Sequence, residues 1–300
     1  MENKPGPTAR KPDWLKTSLP RGKQYLDVRE IIAGKGLHTI CTSGKCPNLA
    51  ECWGRGTASF MILGNICTRA CKFCAVQTGN PRGVTDPDEP ERLAESIAKM
   101  HLKHCVITSV DRDDLPDLGA GFWATAIRQI RQRNPGVTVE ALIPDFNGEA
   151  TLIGKVTDAA PEIISHNLET VRRLTPEVRS RARYDISLKT IETVAGSGRA
   201  KPKSGIMVGL GETEEEVLQT MDDLIDAGCR ILTIGQYLQP TRKHLAVKEY
   251  VSPGQFRKYA AAALEKGFAF VESAPLVRSS YRAERHVERT GVNDEGKRDF

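Results

Sequence analysis

SFMILGNICTRACKFC, residues 59–74, begins as one kind of signal and ends as another. Residues 59–64, SFMILG, make a short apolar run closed by glycine, which predicts a strand buried on both faces. Three residues later come Cys67, Cys71 and Cys74, at x3 and x2 spacing and flanked by Arg69 and Lys72. Upstream, CTSGKCPNLAEC sets Cys41, Cys46 and Cys52 at x4 and x5 spacing, so six of the eight cysteines fall between positions 41 and 74. Thiols gathered in this way need a chemical explanation.

Outward from this stretch, apolar runs alternate with amphipathic ones. HCVITSV (104–110), TVEALIP (138–144), EIISHNL (162–168), SGIMVGL (204–210) and RILTIGQYL (230–238) predict further strands. Helices are predicted between them over 90–101, 121–134, 150–159, 185–196 and 214–228, with Asp88 as an N-cap and Gly228 closing the last. Six alternations of this kind predict a parallel sheet covered by helices. Six units are too few for an eight-fold barrel. The expected class is therefore α/β, a partial (β/α)6 TIM-type barrel with N-terminal and C-terminal extensions.

The expected division is 1–56, an arm carrying the upstream triad and a short helix in YLDVREIIAGKGL; 57–240, the barrel; and 241–300, a C-terminal helix and strand with the RSSY tail. Pro5, Pro7, Pro12 and Pro20 interrupt the arm. Past the barrel come a polar link, a helix over 255–267, the run FAFVESAPLV (268–277), RSSYRAERH (278–286), and a charged end, RTGVNDEGKRDF, expected to fray.

With 39% hydrophobic residues among 300, a substantial core is assured. No apolar run approaches the roughly 20 residues of a membrane span, and MENKPGPTARKPDW has no secretory h-region. The expectation is a soluble, cytoplasmic protein without a membrane partner. A net charge of +5 is too small to argue for nucleic acid and suits a modestly acidic protein partner or an anionic cosubstrate.

In a reducing compartment, grouped cysteines point to metal or redox chemistry rather than disulfides, and each triad would leave an odd thiol. Structural zinc usually draws four ligands from two close pairs, and no histidine lies within twenty residues of the downstream triad. Iron–sulfur clusters are routinely held by close thiolates from one loop, and three of them leave one iron open for a ligand. Cys105 and Cys229 are expected to be buried core thiols.

The CxxxCxxC segment, following the first strand of a partial barrel, resembles the radical S-adenosylmethionine (SAM) enzymes. The resemblance implies that Cys67, Cys71 and Cys74 hold a [4Fe-4S] cluster that binds and reductively cleaves SAM, with Phe73 the usual aromatic beside the third cysteine. KPDWLKTSLP, LHTICTSGKCPNLAECW, VDRDDLPDLGAGF, SHNLETVRRL, KSGIMVGLGET and VRSSYRA further resemble the lipoyl synthase family, from residue 11 to 283. That family implies a second [4Fe-4S] cluster on Cys41, Cys46 and Cys52, with a serine of Arg278-Ser279-Ser280-Tyr281 as its fourth ligand. Ser280 is assigned, with Ser279 the alternative. Serine competes poorly with thiolate for iron, so that corner is releasable.

The implied reaction inserts two sulfurs, taken from the second cluster, at C6 and C8 of an octanoyl chain on a carrier lysine. Cys67, Cys71, Cys74 and Ser280 are the implied catalytic residues. Implied partners are an octanoylated carrier of lipoyl-domain or H-protein type, a reductant such as ferredoxin or flavodoxin, and an iron–sulfur carrier that rebuilds the consumed cluster. For SAM, the resemblance implies contacts from Val208, Gly209, Leu210 and Gly211, although an ordinary tight turn would read the same. Asn167 and Glu169, near the end of a predicted strand, are further candidates, as are Arg183 and, less directly, Lys189. His38 and His286 are expected to pack or face solvent. Leu118 departs from the family pattern, which leads to glycine there.

Overall fold

Seven parallel strands follow one another across a single sheet in chain order, because each βα unit returns the chain beside the strand just left. A computed structural model describes residues 10–17, 19 and 21–288. Pro5, Pro7, Pro20 and the charged end RTGVNDEGKRDF lie outside the described residues. The strands are β1 (His38–Thr39), β2 (Ser59–Ile62), β3 (His104–Ser109), β4 (Thr138–Leu142), β5 (Ile163–Ser165), β6 (Lys201–Val208), β7 (Ile231–Gln236) and β8 (Phe270–Ser273). Among the described residues only β1 runs antiparallel, pairing His38 with Met61. The helices are α1 (Lys23–Gly34), α2 (Glu89–Lys99), α3 (Ala120–Arg133), α4 (Ala150–Thr157), α5 (Tyr184–Ser197), α6 (Glu214–Asp226) and α7 (Pro253–Glu265), with shorter turns between.

The sheet is an open, partial barrel whose edges are β1 and β8. Its strands β2 to β7 are the six read from the sequence. β8 is a seventh parallel strand, drawn from FAFVESAPLV and paired with β7 through Phe270 and Ile231. β6 also starts three residues ahead of its apolar run, through Pro202 and Lys203. Pro202 keeps its place by accepting from Arg230 N (2.9 Å), and Lys203 is buried because a carboxylate meets it there.

Every residue of β2 is buried, and Leu93, Ile97, Trp123, Ile127 and Ile130 bring α2 and α3 into one apolar cluster with β2 to β5. A second cluster joins β6 and β7 to α5, α6 and α7 through Ile191, Val217, Met221 and Phe256. Thr213 and Glu216 form a reciprocal capping box at the start of α6. Gly228, at φ +80°, ends that turn where a Cβ would stand 2.7 Å from Ala195 Cβ. Asp88 occupies the N-cap position of α2, but its side chain makes no capping bond.

Two turns past strand ends hold non-glycine residues in left-handed backbone. Leu118, at φ +54°, stands where only glycine is free of strain, which accounts for the glycine expected there. Leu63 (φ +67°) and Gly64 (φ +86°) redirect the chain from β2 towards Cys67. Glu89, at the start of α2 and 4% exposed, pins this turn by accepting from Leu63 N (2.8 Å).

Burial pushes the Glu89 carboxyl from 4.5 up to about 6, although N–H bonds from Leu63 and Gly64 oppose the rise. The folded state thus holds the proton more tightly than the unfolded one. The resulting stabilisation is fully present below pH 4.5 and is lost as pH rises through 6. At about 1.4 kcal/mol per unit, the stability gap between the parent and Glu89→Gln should change by about 2 kcal/mol between pH 4.5 and 7.5. Urea unfolding of the metal-free proteins at the two pH values measures it. A gap independent of pH would remove this account of Glu89.

Candidate functional site

A cavity of about 560 Å³ at the C-terminal ends of the strands is lined by Cys41 and Cys46, by Cys67, Cys71 and Cys74, and by Arg278 to Ser280. All eight cysteines are free thiols. Cys41 sits on a short helix, Ile40–Ser43, capped by the Thr39 hydroxyl. Cys46 N returns to Cys41 O (3.0 Å), and Cys52 follows on the helix Leu49–Gly54. A two-residue parallel ladder, Ile66–Cys67 with Gln77–Thr78, closes the base of the downstream loop.

Burial pushes the Cys52 and Cys67 thiols up to about 12, and those of Cys41 and Cys74 up to about 11. Within each triad the neighbours add to this, Cys41 and Cys46 acting on Cys52, and Cys71 on Cys74. Left alone, these are protonated thiols; a cationic centre must displace their protons. Among the described residues no three His, Cys, Asp or Glu side chains close around a single-ion site, as structural zinc requires. Two sets of three soft donors, five of the six thiols lining one cavity, fit iron–sulfur clusters, in which each thiolate binds a different iron.

Arg69, inside the downstream loop, is the electrostatic hub. Its side chain is 4% exposed. Nη1 and Nη2 donate to the two oxygens of Asp145 at 2.8 Å each, while Nε and Nη2 donate to Asp113 at 3.1 and 3.0 Å. Asp111 Oδ1 lies 3.4 Å from Nε. Burial opposes the charge on Arg69, but its bonds to Asp145 and Asp113 and the charge on Asp111 hold the guanidinium protonated. Burial likewise opposes the charge on Asp145, and Arg69 holds that carboxyl well below its usual range. Burial pushes Asp111 up, and its backbone N donates to Cys67 Sγ (3.4 Å).

The loop is held from two further sides. Ala70 N donates to Ser180 Oγ (2.9 Å) and Lys72 N to Val178 O (2.9 Å). A strap past β7 returns Leu245 N to Lys72 O (3.2 Å), and His244 Nε2 donates to Cys74 O (2.9 Å). At the other triad, the C-terminal tail is clasped to the arm. Asn48 Nδ2 donates to Leu276 O (2.7 Å), Tyr281 OH to Glu51 Oε1 (2.9 Å) and Arg55 to Glu284 (2.9 Å).

Residues 61–224 match the family model described as the radical SAM superfamily. The chain is 61% identical over 278 residues to the lipoyl synthase of Bacteroides fragilis strain YCH46, covering 93% of this chain and 96% of that one. The lipoyl synthase of Treponema denticola is 59% identical, covering 93% and 95%. The chain belongs to the lipoyl synthase family. Solved structures agree on the radical SAM fold at lower identity. Methylornithine synthase superposes with a TM-score of 0.52 at 14% identity, over 93% of this chain and 90% of that one. HydG, a maturase of the [FeFe]-hydrogenase, gives 0.54 at 14% identity, over 76% and 61%.

Of the residues expected for SAM in this member of the lipoyl synthase family, Phe73, Asn167 and Glu169 line the cavity. Asn167 Nδ2 donates to Glu169 Oε1 (3.0 Å), while the buried Asn167 Oδ1 has no partner among the described residues. Val208, Gly209, Leu210 and Gly211 are not among the lining residues; Gly205, Ile206 and Met207, on the strand before them, are. Gly209, at φ +97°, is needed for internal packing, since a Cβ there would strike Gln236 Nε2 and Glu249 O.

Arg183 caps α5 at the surface and does not line the cavity, whereas Arg179, four residues earlier, does. Arg179 is buried, donates to Ser187 Oγ (2.8 Å), and leaves its Nε without a partner among the described residues. Lys189 is exposed, His38 half-buried, and His286 buried. Both Ser279 and Ser280 line the cavity, as does Arg278.

Arg69, Asp145 and Arg179 carry no role in the reading of the sequence alone, and Asp111 and Asp113 enter it only within VDRDDLPD (110–117), the polar segment that follows the second predicted strand. DRDD after one strand and PD after the next supply carboxylates in excess of nearby cations. Their convergence on the arginine of CTRAC is the signal that could have found them.

Proposed function

We propose that the chain inserts two sulfur atoms, at C6 and C8, into an octanoyl chain carried on a lysine of a lipoyl-domain or H-protein type carrier. The observation that carries this reading is that five of the six triad cysteines, Cys41, Cys46, Cys67, Cys71 and Cys74, line one cavity with the serine pair of the tail. When bound, a [4Fe-4S] cluster on Cys67, Cys71 and Cys74 supplies the electron that cleaves SAM, and a second on Cys41, Cys46, Cys52 and Ser280 supplies sulfur. Unfunctionalised C–H bonds offer nothing to an acid or base, so radical chemistry from a cofactor is required.

The chain's own residues bind, orient and exclude water. Asn167, Glu169 and Arg179 receive the polar groups of SAM; burial pushes the Glu169 carboxyl up while Arg179 opposes that rise. Ile40, Val76, Ile143 and Met207 line the same cavity and suit an aliphatic chain. Among the described residues Ser280 Oγ has no hydrogen-bond partner, whereas Ser279 Oγ accepts from Asn167 Nδ2 (2.6 Å). Ser280 is therefore the serine able to bind an iron and release it.

This reading divides the labour among the arm (1–56), which supplies three ligands, the barrel (57–240), which handles SAM, and the remainder (241–300), which supplies the serine. Eight free thiols suit a reducing cytoplasm, and among the described residues no helix is long and apolar enough to cross a membrane. A low-potential donor of ferredoxin or flavodoxin type supplies electrons, and an iron–sulfur carrier restores the spent cluster.

The test is a mass spectrum of an octanoyl-lysine carrier peptide after anaerobic incubation with reconstituted protein, SAM and a strong reductant. A product carrying two added sulfurs, formed with 5′-deoxyadenosine, is expected. SAM cleavage with the peptide untouched, both clusters being present, would overturn the proposal.

A further inference from the structure

Four elements meet on one ammonium that does not line the cavity. Lys203 Nζ, on β6, donates to Glu140 Oε1 of β4 (2.5 Å), to Ser279 O of the tail (2.6 Å) and to His286 Nδ1 of the helix Glu284–Glu288 (3.0 Å). All three of its N–H groups are used. The side chains of Lys203, Glu140 and His286 are 0% exposed. His104 of β3 approaches the same carboxylate, Nε2 to Oε2, at 3.9 Å. Burial opposes the charge on Glu140, yet the ammonium beside it holds the carboxyl down at about 2.

Such a pair adds little to stability, since two apolar side chains of similar volume often serve as well. What it contributes is an address. Ser279 is gripped at both polar ends, its carbonyl by Lys203 and its hydroxyl by Asn167. The residues flanking the serine pair reach the upstream triad: Arg278 lies close enough to Cys46 to oppose the rise that burial imposes on its thiol, and Tyr281 OH donates to Glu51, the residue before Cys52.

We propose that Lys203 is a positioning residue for the Ser280 corner. Anchored in the barrel wall by Glu140, it clamps the Ser279 carbonyl, so that Ser279 is a fixed post from which Ser280 alone is presented to Cys41, Cys46 and Cys52. The hydroxyl can then leave an iron and return while the tail stays in place. This rests on the reading of Ser280 as the fourth ligand.

Lys203→Met alone strands a buried carboxylate, so the informative variant is Lys203→Met/Glu140→Leu, which removes both charges and keeps volume. In metal-free protein, hydrogen exchange at the Tyr281 and His286 amides should quicken roughly 10- to 100-fold, the effect of losing a charged hydrogen bond, with Cys74 and Met207 unchanged. In reconstituted protein, the Mössbauer signature of an oxygen-ligated iron should be present in the parent and lost in the double variant. A parent without that signature removes the Ser280 reading and the proposal with it. A parent that has it, beside a double variant that keeps it with tail exchange unaltered, removes the Lys203 proposal alone.

Discussion

Arg69→Met is expected to leave the downstream triad without its cluster while the upstream triad loads normally, so that the reconstituted protein carries half the parent's iron. The arginine is enclosed by Asp145, Asp113 and Asp111, with its side chain 4% exposed. Removing the cation leaves carboxylates facing one another away from solvent. Breaking a buried charge network from one side costs about 3–5 kcal/mol. The segment released is the one bearing Cys67 and Cys71, and the aspartates it abandons sit just past β3 and β4. The metal-free variant should also melt on the order of 10 °C lower. Arg69→Lys keeps the charge without the planar fork that engages Asp145 through two nitrogens, and should fall between parent and methionine. Full iron and an unchanged melting point in Arg69→Met would refute the role assigned to this hub.

The second large effect separates the two triads. Cys46→Ala should abolish sulfur insertion, with product falling more than about 100-fold, while SAM cleavage continues. Cys67→Ala should stop both. Cys46 is half-buried, lies beside Arg278 and belongs to no strand, so its loss leaves the barrel intact. Cys67 opens the loop that the barrel builds, and Asp111 N donates to its sulfur. Product and 5′-deoxyadenosine are quantified in the same reaction, with iron per chain as the loading control. If Cys46→Ala halted SAM cleavage as completely as Cys67→Ala, the division of roles between the triads would be wrong.

Strands β2 to β7 and both triads were legible because their signals are local. An apolar run bounded by turn residues needs no knowledge of its neighbours, and three cysteines within eight residues declare themselves. What escaped depends on distant partners. Lys203 lies just outside the predicted strand until Glu140, 63 residues earlier, makes it a buried member of β6. Arg69 reads only as a flank of the cysteines until Asp145, 76 residues later, meets it. A strand was expected in FAFVESAPLV, but as part of an extension, and only the pairing of β8 with β7 makes it a wall of the barrel. The glycines of GIMVGLGET marked a real backbone requirement, but Gly209 serves contact with Gln236 and Glu249.

The clasp between arm and tail also sets a timetable for synthesis. Glu51 must wait 230 residues for Tyr281, and Asn48 must wait 228 for Leu276. At about 5–20 residues per second, that delay is on the order of ten to fifty seconds. During it the thiols of Cys41, Cys46 and Cys52 have left the ribosome without the tail that bears the proposed fourth ligand, Ser280. The downstream loop waits less, since Asp145 follows Arg69 by 76 residues and His244 follows Cys74 by 170. The two halves of the site are therefore completed in sequence on the nascent chain, and the half built on Cys41, Cys46 and Cys52 is the later one.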